Sequence, residues 1–324
     1  VEALADGILR INMPLPFPPG QVNIWLLRDG DGWAAIDAGY GQRDTIERWE
    51  TILHHDLVQG RPITKLIVTH AHSDHAGAAG WLAERFGLTP YVTRTEWLQW
   101  RLTASEAPGD VRRYQLSHLA RAGCPDFLLD DLRARPLHPP GMFPLPLGYH
   151  RVHEGQSLTI GQVTWSLSTG EGHSPEQLMM TDHHRGIYIL ADQVLPRITP
   201  FVGVMARDPE SDPLNGFLRT LERMREIPAD ALALPSHGDP FRGASERVDT
   251  ILAHHAREFD KLRDFCRIPR TAYEAAELMF RVVDRRNFMM AVTEALAHLR
   301  YLARAGILKE QTAPDGPTRF VGSM

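Results

Sequence analysis

Along the N-terminal part of the chain, apolar positions come in short runs closed by turn signals. Val22–Arg28 is apolar and runs into Asp29-Gly30-Asp31-Gly32. Trp33–Ile36 then resumes and stops at Asp37-Ala38-Gly39. Runs of this length between Gly and Asp predict β-strands. From Thr45 to Val58 the period changes, with Ile46, Trp49, Ile52 and Leu53 on one side of a predicted helix. Leu66-Ile67-Val68 predicts a short buried strand, and Ala76–Phe86 a helix ended by Gly87. Further strands are predicted at Gly148–Val152, Ser157–Ile160, Val163–Leu167, Ile187–Leu190 and Ala231–Leu234. Helices are predicted at Pro213–Arg225 and Gly243–Cys266.

Residues 93–147 break this alternation. Helical pieces are predicted at Trp97–Leu102 and Val111–Ala122, and Pro136–Pro146 is rich in Pro and Gly and predicts irregular chain. This reads as an insertion able to cover the mouth of a site. Its Trp97, Trp100, Leu102, Tyr114 and Leu116 are side chains for a cap or for packing. After Pro269, helices at Ala272–Val282 and Phe288–Ala305 precede strands at Gly306–Lys309 and Thr318–Val321. Helix, helix, small hairpin is the order of a winged helix. The expected division is a large domain over 1–266, carrying the insertion, and a small winged-helix-like domain over 267–324.

Composition narrows the partners. The chain has 324 residues and a formal net charge of -5, which speaks against the basic footprint of a nucleic-acid binder. Cys124 and Cys266 are the two cysteines. They have no CxxC spacing and are expected as buried free thiols. Val1–Arg10 lacks a basic segment followed by an apolar run, so no signal peptide is expected. No apolar stretch is long enough to span a membrane. A cytoplasmic protein without a membrane partner is the expectation, with self-association left open.

Histidine changes the picture, at 16 residues. The central pattern is His70-x-His72-x-Asp74-His75. Imidazole and carboxylate are donors that suit Zn²⁺. Residues two apart on an extended strand end project to the same side, so His70 and His72 can share one metal. Asp74 and His75, at the turn into the helix, can point at a second. His173 lies in Gly170-Glu171-Gly172-His173, after a predicted strand, and Asp192 and His237 each follow another. Strand-end loops are where sites are built on α/β scaffolds. The pairs His54-His55, His183-His184 and His254-His255 read as solvated side chains. His138, His150 and His153 flank the insertion, within possible reach of substrate.

In this order, Asp37, His70-x-His72-x-Asp74-His75, His173, Asp192 and His237 resemble the metallo-β-lactamase superfamily over about Val22–His254. The resemblance implies an α/β fold, a four-layer αββα sandwich with metals at one edge. It implies a first metal on His70, His72 and His173, a second on Asp74, His75 and His237, and Asp192 bridging them. Asp37 would support the ligand loop without touching metal. Two divalent ions are implied, zinc first, with iron or manganese as other choices. Asp192 stands where many true β-lactamases have Cys, so the chain is more similar to hydroxyacylglutathione hydrolases and to β-lactamase-like hydrolases with a C-terminal winged helix. The expected chemistry is attack on a carbonyl by a metal-bridging hydroxide, with Asp74 orienting the water. A small acyl substrate, a thioester or related carboxylic ester, is expected. The alternatives are single-stranded RNA, suggested by tail arginines such as Arg281, Arg285 and Arg286, and a lactone. A flavin-coupled di-iron oxidoreductase would need a partner domain that this sequence does not show.

Overall fold

The computed structural model describes residues 1–137, 141–142, 145–314 and 316–323. Strands β1 (Glu2–Ala5), β2 (Ile8–Pro14), β3 (Gln21–Asp29), β4 (Gly32–Ile36), β5 (Ile63–Ile67), β6 (Tyr91–Thr93) and β7 (His150–Val152) form one sheet in chain order. β1 to β4 pair antiparallel, and β4 to β7 parallel. A second sheet has the order β12-β11-β10-β9-β8. It comprises β8 (Ser157–Ile160), β9 (Val163–Gly170), β10 (Gln177–Asp182), β11 (Ile187–Ala191) and β12 (Leu232–Pro235).

The period-two geometry of a strand decides which side chains meet. Ile8, Trp25, Leu27, Ile36 and Ile67 of the first sheet share a buried core with Trp165, Leu167, Met180, Ile189 and Leu234 of the second. The intervening residues Leu9, Ile11, Ile24, Leu26 and Leu66 face the other way. There they pack against α1 (Arg43–Leu53), α3 (Ala79–Phe86) and α4 (Arg94–Ser105) through Trp49, Ile52, Leu82, Trp97 and Trp100. A short α2 (Ser73–Ala76) precedes α3. With both faces covered, the central strands β3 and β4 read as continuous apolar runs. This is the α/β sandwich expected from the sequence.

Two compact units share the chain. The first is Val1–Glu106, His138–Pro200 and Glu226–Arg247. The second is Ala107–Leu137, Phe201–Arg225 and Val248–Met324. The second unit holds α5 (Pro108–Arg121), α6 (Asp126–Ala134), α7 (Pro213–Met224), most of α8 (Ala244–Phe265), α9 (Ala272–Met279) and α10 (Phe288–Arg304). It also holds the hairpin β13 (Leu308–Gln311) and β14 (Arg319–Gly322). The segment read as one insertion is therefore divided, with α4 in the first unit and α5 and α6 in the second. Of the expected irregular stretch Pro136–Pro146, residues 138–140, 143 and 144 lie outside the described residues.

One reading of side chains needs correction, that of His255, and the tryptophans take one of the two roles open to them. Trp97 and Trp100 are 5% and 1% exposed, and Trp97 stacks on Tyr149 at 4.8 Å. Of the two roles, cap or packing, they take packing. His255 is not solvated: it is 1% exposed, and its Nδ1 lies 2.9 Å from His298 Nε2. It falls on the buried stripe Val248, Ile251, His255, Glu258, Leu262 of α8, whose three- and four-residue spacing is helical. Cys124 and Cys266 are buried free thiols, as expected. Among the described residues no helix is long and apolar enough to cross a membrane.

Candidate metal centre

All seven sequence-predicted ligands converge at strand ends of the first unit. β5 ends at Ile67, the chain bends at Ala71, and His72, with φ of -64° and ψ of 146°, opens α2. His70 Nε2 and His72 Nδ1 face each other at 3.1 Å. Asp74 and His75 occupy the first turn of α2. His173 follows β9, Asp192 follows β11, and His237 follows β12. Three groups of donor atoms can each hold a metal ion: His70, His72 and His173; His70, His75 and Asp192; and Asp74, His75 and His237. The first and last are the two sets implied by the sequence resemblance. The middle group joins them.

Asp192 lies at the centre. Its Oδ2 is 3.3 Å from His173 Nε2, 3.4 Å from His237 Nε2 and 3.6 Å from His75 Nε2. Asp74 Oδ2 is 3.4 Å from His237 Nε2 and 3.6 Å from His75 Nε2. The backbone is bent to achieve this. Asp37 (φ 66°) and Ala191 (φ 46°), at the ends of β4 and β11, are non-glycine residues in the left-handed region. Such conformations are disfavoured by about 1–2 kcal/mol and concentrate at functional sites.

Supporting residues set the ring orientations. Asp37 Oδ1 accepts from the Thr69 backbone N–H at 2.7 Å, and Oδ2 accepts from Thr69 Oγ1 at 2.8 Å and His75 Nδ1 at 2.9 Å. With its proton committed to Asp37, Thr69 Oγ1 accepts from His70 Nδ1 at 3.0 Å. One buried carboxylate thus leaves Nε2 of both His70 and His75 available to a metal. His237 Nδ1 donates to the Gln21 carbonyl at 2.7 Å. Its loop is tied to β3 by Asn23 Nδ2, which donates to the carbonyls of Pro235 and Gly238 at 2.8 and 2.7 Å. Arg10, a charged residue in β2, donates to Asn23 Oδ1 at 2.9 Å and to the Gly238 carbonyl at 3.0 Å.

Glu96, in the first turn of α4, is fully buried. Its carboxylate accepts from the Ala71 backbone N–H, from Ser174 Oγ and from the Glu176 backbone N–H. Sequence reading missed Glu96, Asn23 and Arg10. It also missed Thr69, although Thr69 adjoins His70 in the sequence, whereas Asp37 was named as a support for the ligand loop and makes that contact.

The electrostatics divide the histidines. Burial, then the neighbouring imidazoles His75, His72 and His173, hold His70 well below its ordinary value. Burial and His173 push His72 down to about 3. Burial opposes charge on His75 too, but Asp74, Asp192 and Asp37 override it and raise His75 well above the usual range. For His237, burial is likewise outweighed by Asp192 and by hydrogen bonds to Asp192 and Asp74, which raise it to about 10. Burial would raise Asp74 and Asp192, but His75 and His237 keep both low, Asp74 at about 2. His70 and His72 are therefore neutral donors, whereas His75 and His237 hold protons that a cation displaces on binding.

The remaining histidines stand apart. His54, His183 and His184 are exposed, and His55 is half-buried. His150 and His153 are exposed, His150 lying 4.7 Å from the Tyr91 ring. His138 lies outside the described residues.

Comparison with known proteins agrees with this geometry. Residues 17–237 match the family described as the metallo-beta-lactamase superfamily, and residues 259–323 match a metallo-beta-lactamase-like C-terminal domain. A beta-lactamase domain protein from Burkholderia ambifaria is 35% identical, with a TM-score of 0.91 over 100% of this chain and 94% of that one. A metallo-beta-lactamase family protein from Thermus thermophilus shares the fold at 24% identity. Its TM-score is 0.81 over 99% of this chain and 100% of that one. The probable metallo-hydrolase YqjP of Bacillus subtilis is 23% identical over 317 residues, 92% of each chain.

Proposed function

The chain belongs to the metallo-beta-lactamase superfamily, and we propose that it hydrolyses thioesters or related carboxylic esters at a centre of two divalent metal ions. His70, His72 and His173 would hold one ion and Asp74, His75 and His237 the other, with the Asp192 carboxylate within reach of both groups. Zinc suits this donor set best, and iron or manganese also suits imidazole and carboxylate.

The observation that carries the reading is the position of Asp192, whose Oδ2 lies within 3.6 Å of histidines from both groups. Two buried atoms support it. His75 Nε2 and Asp192 Oδ1 make no hydrogen bond, which costs roughly 1–3 kcal/mol per group unless something else satisfies them. A cation between them does so.

When bound, the metals supply an acidified water and polarise the substrate carbonyl. The chain's own residues do the rest. Asp74 is the more open carboxylate, with its side chain 16% exposed against 7% for Asp192. It stays ionised and accepts a hydrogen bond from the attacking water, which orients it. Asp37 and Thr69 keep the ligand rings turned inward. No side-chain nucleophile is required: burial pushes the thiols of Cys124 and Cys266 up to about 12 and 11, so neither is a thiolate at neutral pH. An uncharged acyl substrate also suits a chain of net charge -5 better than a polyanion does.

The test is release of free thiol from a short panel of acyl thioesters by zinc-loaded protein, with Asp192→Ala as control. Metal-dependent turnover in wild type and none in the variant is expected. No turnover by protein carrying two metals per chain would reject the thioester reading, and lactones and single-stranded RNA would be assayed next.

A further inference from the structure

Glu96 is a buried carboxylate without an Arg or Lys partner among the contacts of the described residues. Burying such a group costs several kcal/mol unless it is fully hydrogen-bonded. Its position at the third residue of α4 suggests a helix-capping role, in which the side chain would reach back to the backbone N–H before the helix. It does not do so. Oε2 accepts from the Ala71 N–H at 2.9 Å, Oε1 accepts from the Glu176 N–H at 2.8 Å, and Ser174 Oγ lies 2.7 Å from both oxygens.

These donors have meaningful sequence positions. Ala71 separates His70 from His72, and Ser174 follows His173. One carboxylate therefore joins the two loops that bring the three histidines together. The His173 loop is stitched further to the start of α4, where Thr93 Oγ1 donates to the Glu176 carbonyl at 2.8 Å and the Thr95 N–H donates to Glu176 Oε2 at 2.9 Å. The histidine trio also differs from the other two groups in having no carboxylate of its own. Glu96 adds a fixed negative charge behind it. The Asp74, His75 and His237 group has no hydrogen bond to Glu96 and is held by Asp37 and the Gln21 carbonyl instead.

We infer that Glu96 is a positioning residue dedicated to the His70, His72 and His173 metal site, setting its geometry and charge without touching the ion. This rests on the two-metal reading above and deepens it.

Glu96→Gln keeps the shape but loses the charge, and its amide NH₂ meets a backbone N–H on one side. The experiment is calorimetric titration of chelator-stripped protein with zinc chloride, in three backgrounds. Wild type is expected to bind two equivalents. In a His237→Ala background, which leaves the histidine trio intact, Glu96→Gln weakens the remaining site by about 10-fold or more, the usual effect of losing a ligand's supporting partner. In a His72→Ala background, which leaves the other group intact, Glu96→Gln changes affinity by less than about twofold on the same scale. Equal weakening in both backgrounds, or none in either, overturns the inference, because it would make Glu96 a general packing residue or an idle one. Fewer than two equivalents in wild type would instead overturn the two-metal reading and the inference with it. Should Glu96→Gln not fold, Ser174→Ala removes one donor from the same carboxylate. It is expected to weaken the trio alone by a few-fold, and no such weakening counts against the inference.

Discussion

Asp37 and His75 share a hydrogen bond of 2.9 Å with both side chains almost fully buried. The bond fixes a proton on His75 Nδ1 and turns Nε2 toward Asp74 and Asp192. Asp37→Asn would place an amide donor opposite that N–H, and the ring would have to change its tautomer or turn. Zinc affinity is expected to fall about 10–100-fold, read by competition with a chelator, while the circular dichroism of the metal-free protein stays close to wild type. Unchanged affinity would show that Asp37 does not orient His75.

Asn23 fastens the His237 loop to β3. Its amide serves two carbonyls and its oxygen serves Arg10. Asn23→Ala leaves these groups unsatisfied and is expected to destabilise the protein by about 1–3 kcal/mol, measured by urea denaturation of the metal-free form. Zinc binding weakens as His237 loses its fixed position. A variant as stable as wild type would mean that water replaces the amide without cost.

The buried pair His255 and His298 makes the second unit sensitive to acid. Burial, then His298 and His254, hold His255 down to about 3, and burial holds His298 down to about 4. Both stay neutral in the folded protein below the pH at which free histidine takes a proton. Their contribution is fully present above about pH 6.5 and is lost as pH falls toward 4, at up to about 1.4 kcal/mol per pH unit for each group. Glu258, Glu294 and His254 are the other titratable groups facing the pair. His298→Gln removes one such proton, so wild type should lose its advantage over the variant between pH 7.5 and pH 5. Urea midpoints at the two pH values measure this. Parallel pH dependence in both proteins contradicts it.

Strands buried on both faces were legible as apolar runs, at Val22–Arg28, Trp33–Ile36 and Ile187–Leu190, and the half-exposed β8 and β9 were legible too, by alternation between turn signals. β2 and β10 were not legible. Arg10 and Asn12 interrupt the first, and Gln177, Thr181 and Asp182 bracket the second, yet all six residues of β10 are buried. Those polar groups are accommodated by partners distant in sequence: Arg10 by Gly238 and Asp239, and Gln177 by Gln193. No local pattern encodes such pairs. The same holds for the candidate site. His70, His72, Asp74 and His75 announce themselves by spacing, whereas Glu96 acquires its role only when folding carries α4 beside Ala71 and Ser174. The tryptophans of α4 stayed open between cap and packing, since an apolar residue on a helix reads alike whether it lines a pocket or packs a core.

Metal content per chain of Asp192→Ala beside wild type, both purified in zinc, tests the central claim most directly. Two equivalents in wild type, a clear deficit in the variant and an unchanged circular dichroism spectrum are predicted, because one carboxylate serves both groups of histidines. A variant that keeps two zinc ions and hydrolyses at the wild-type rate would contradict the account.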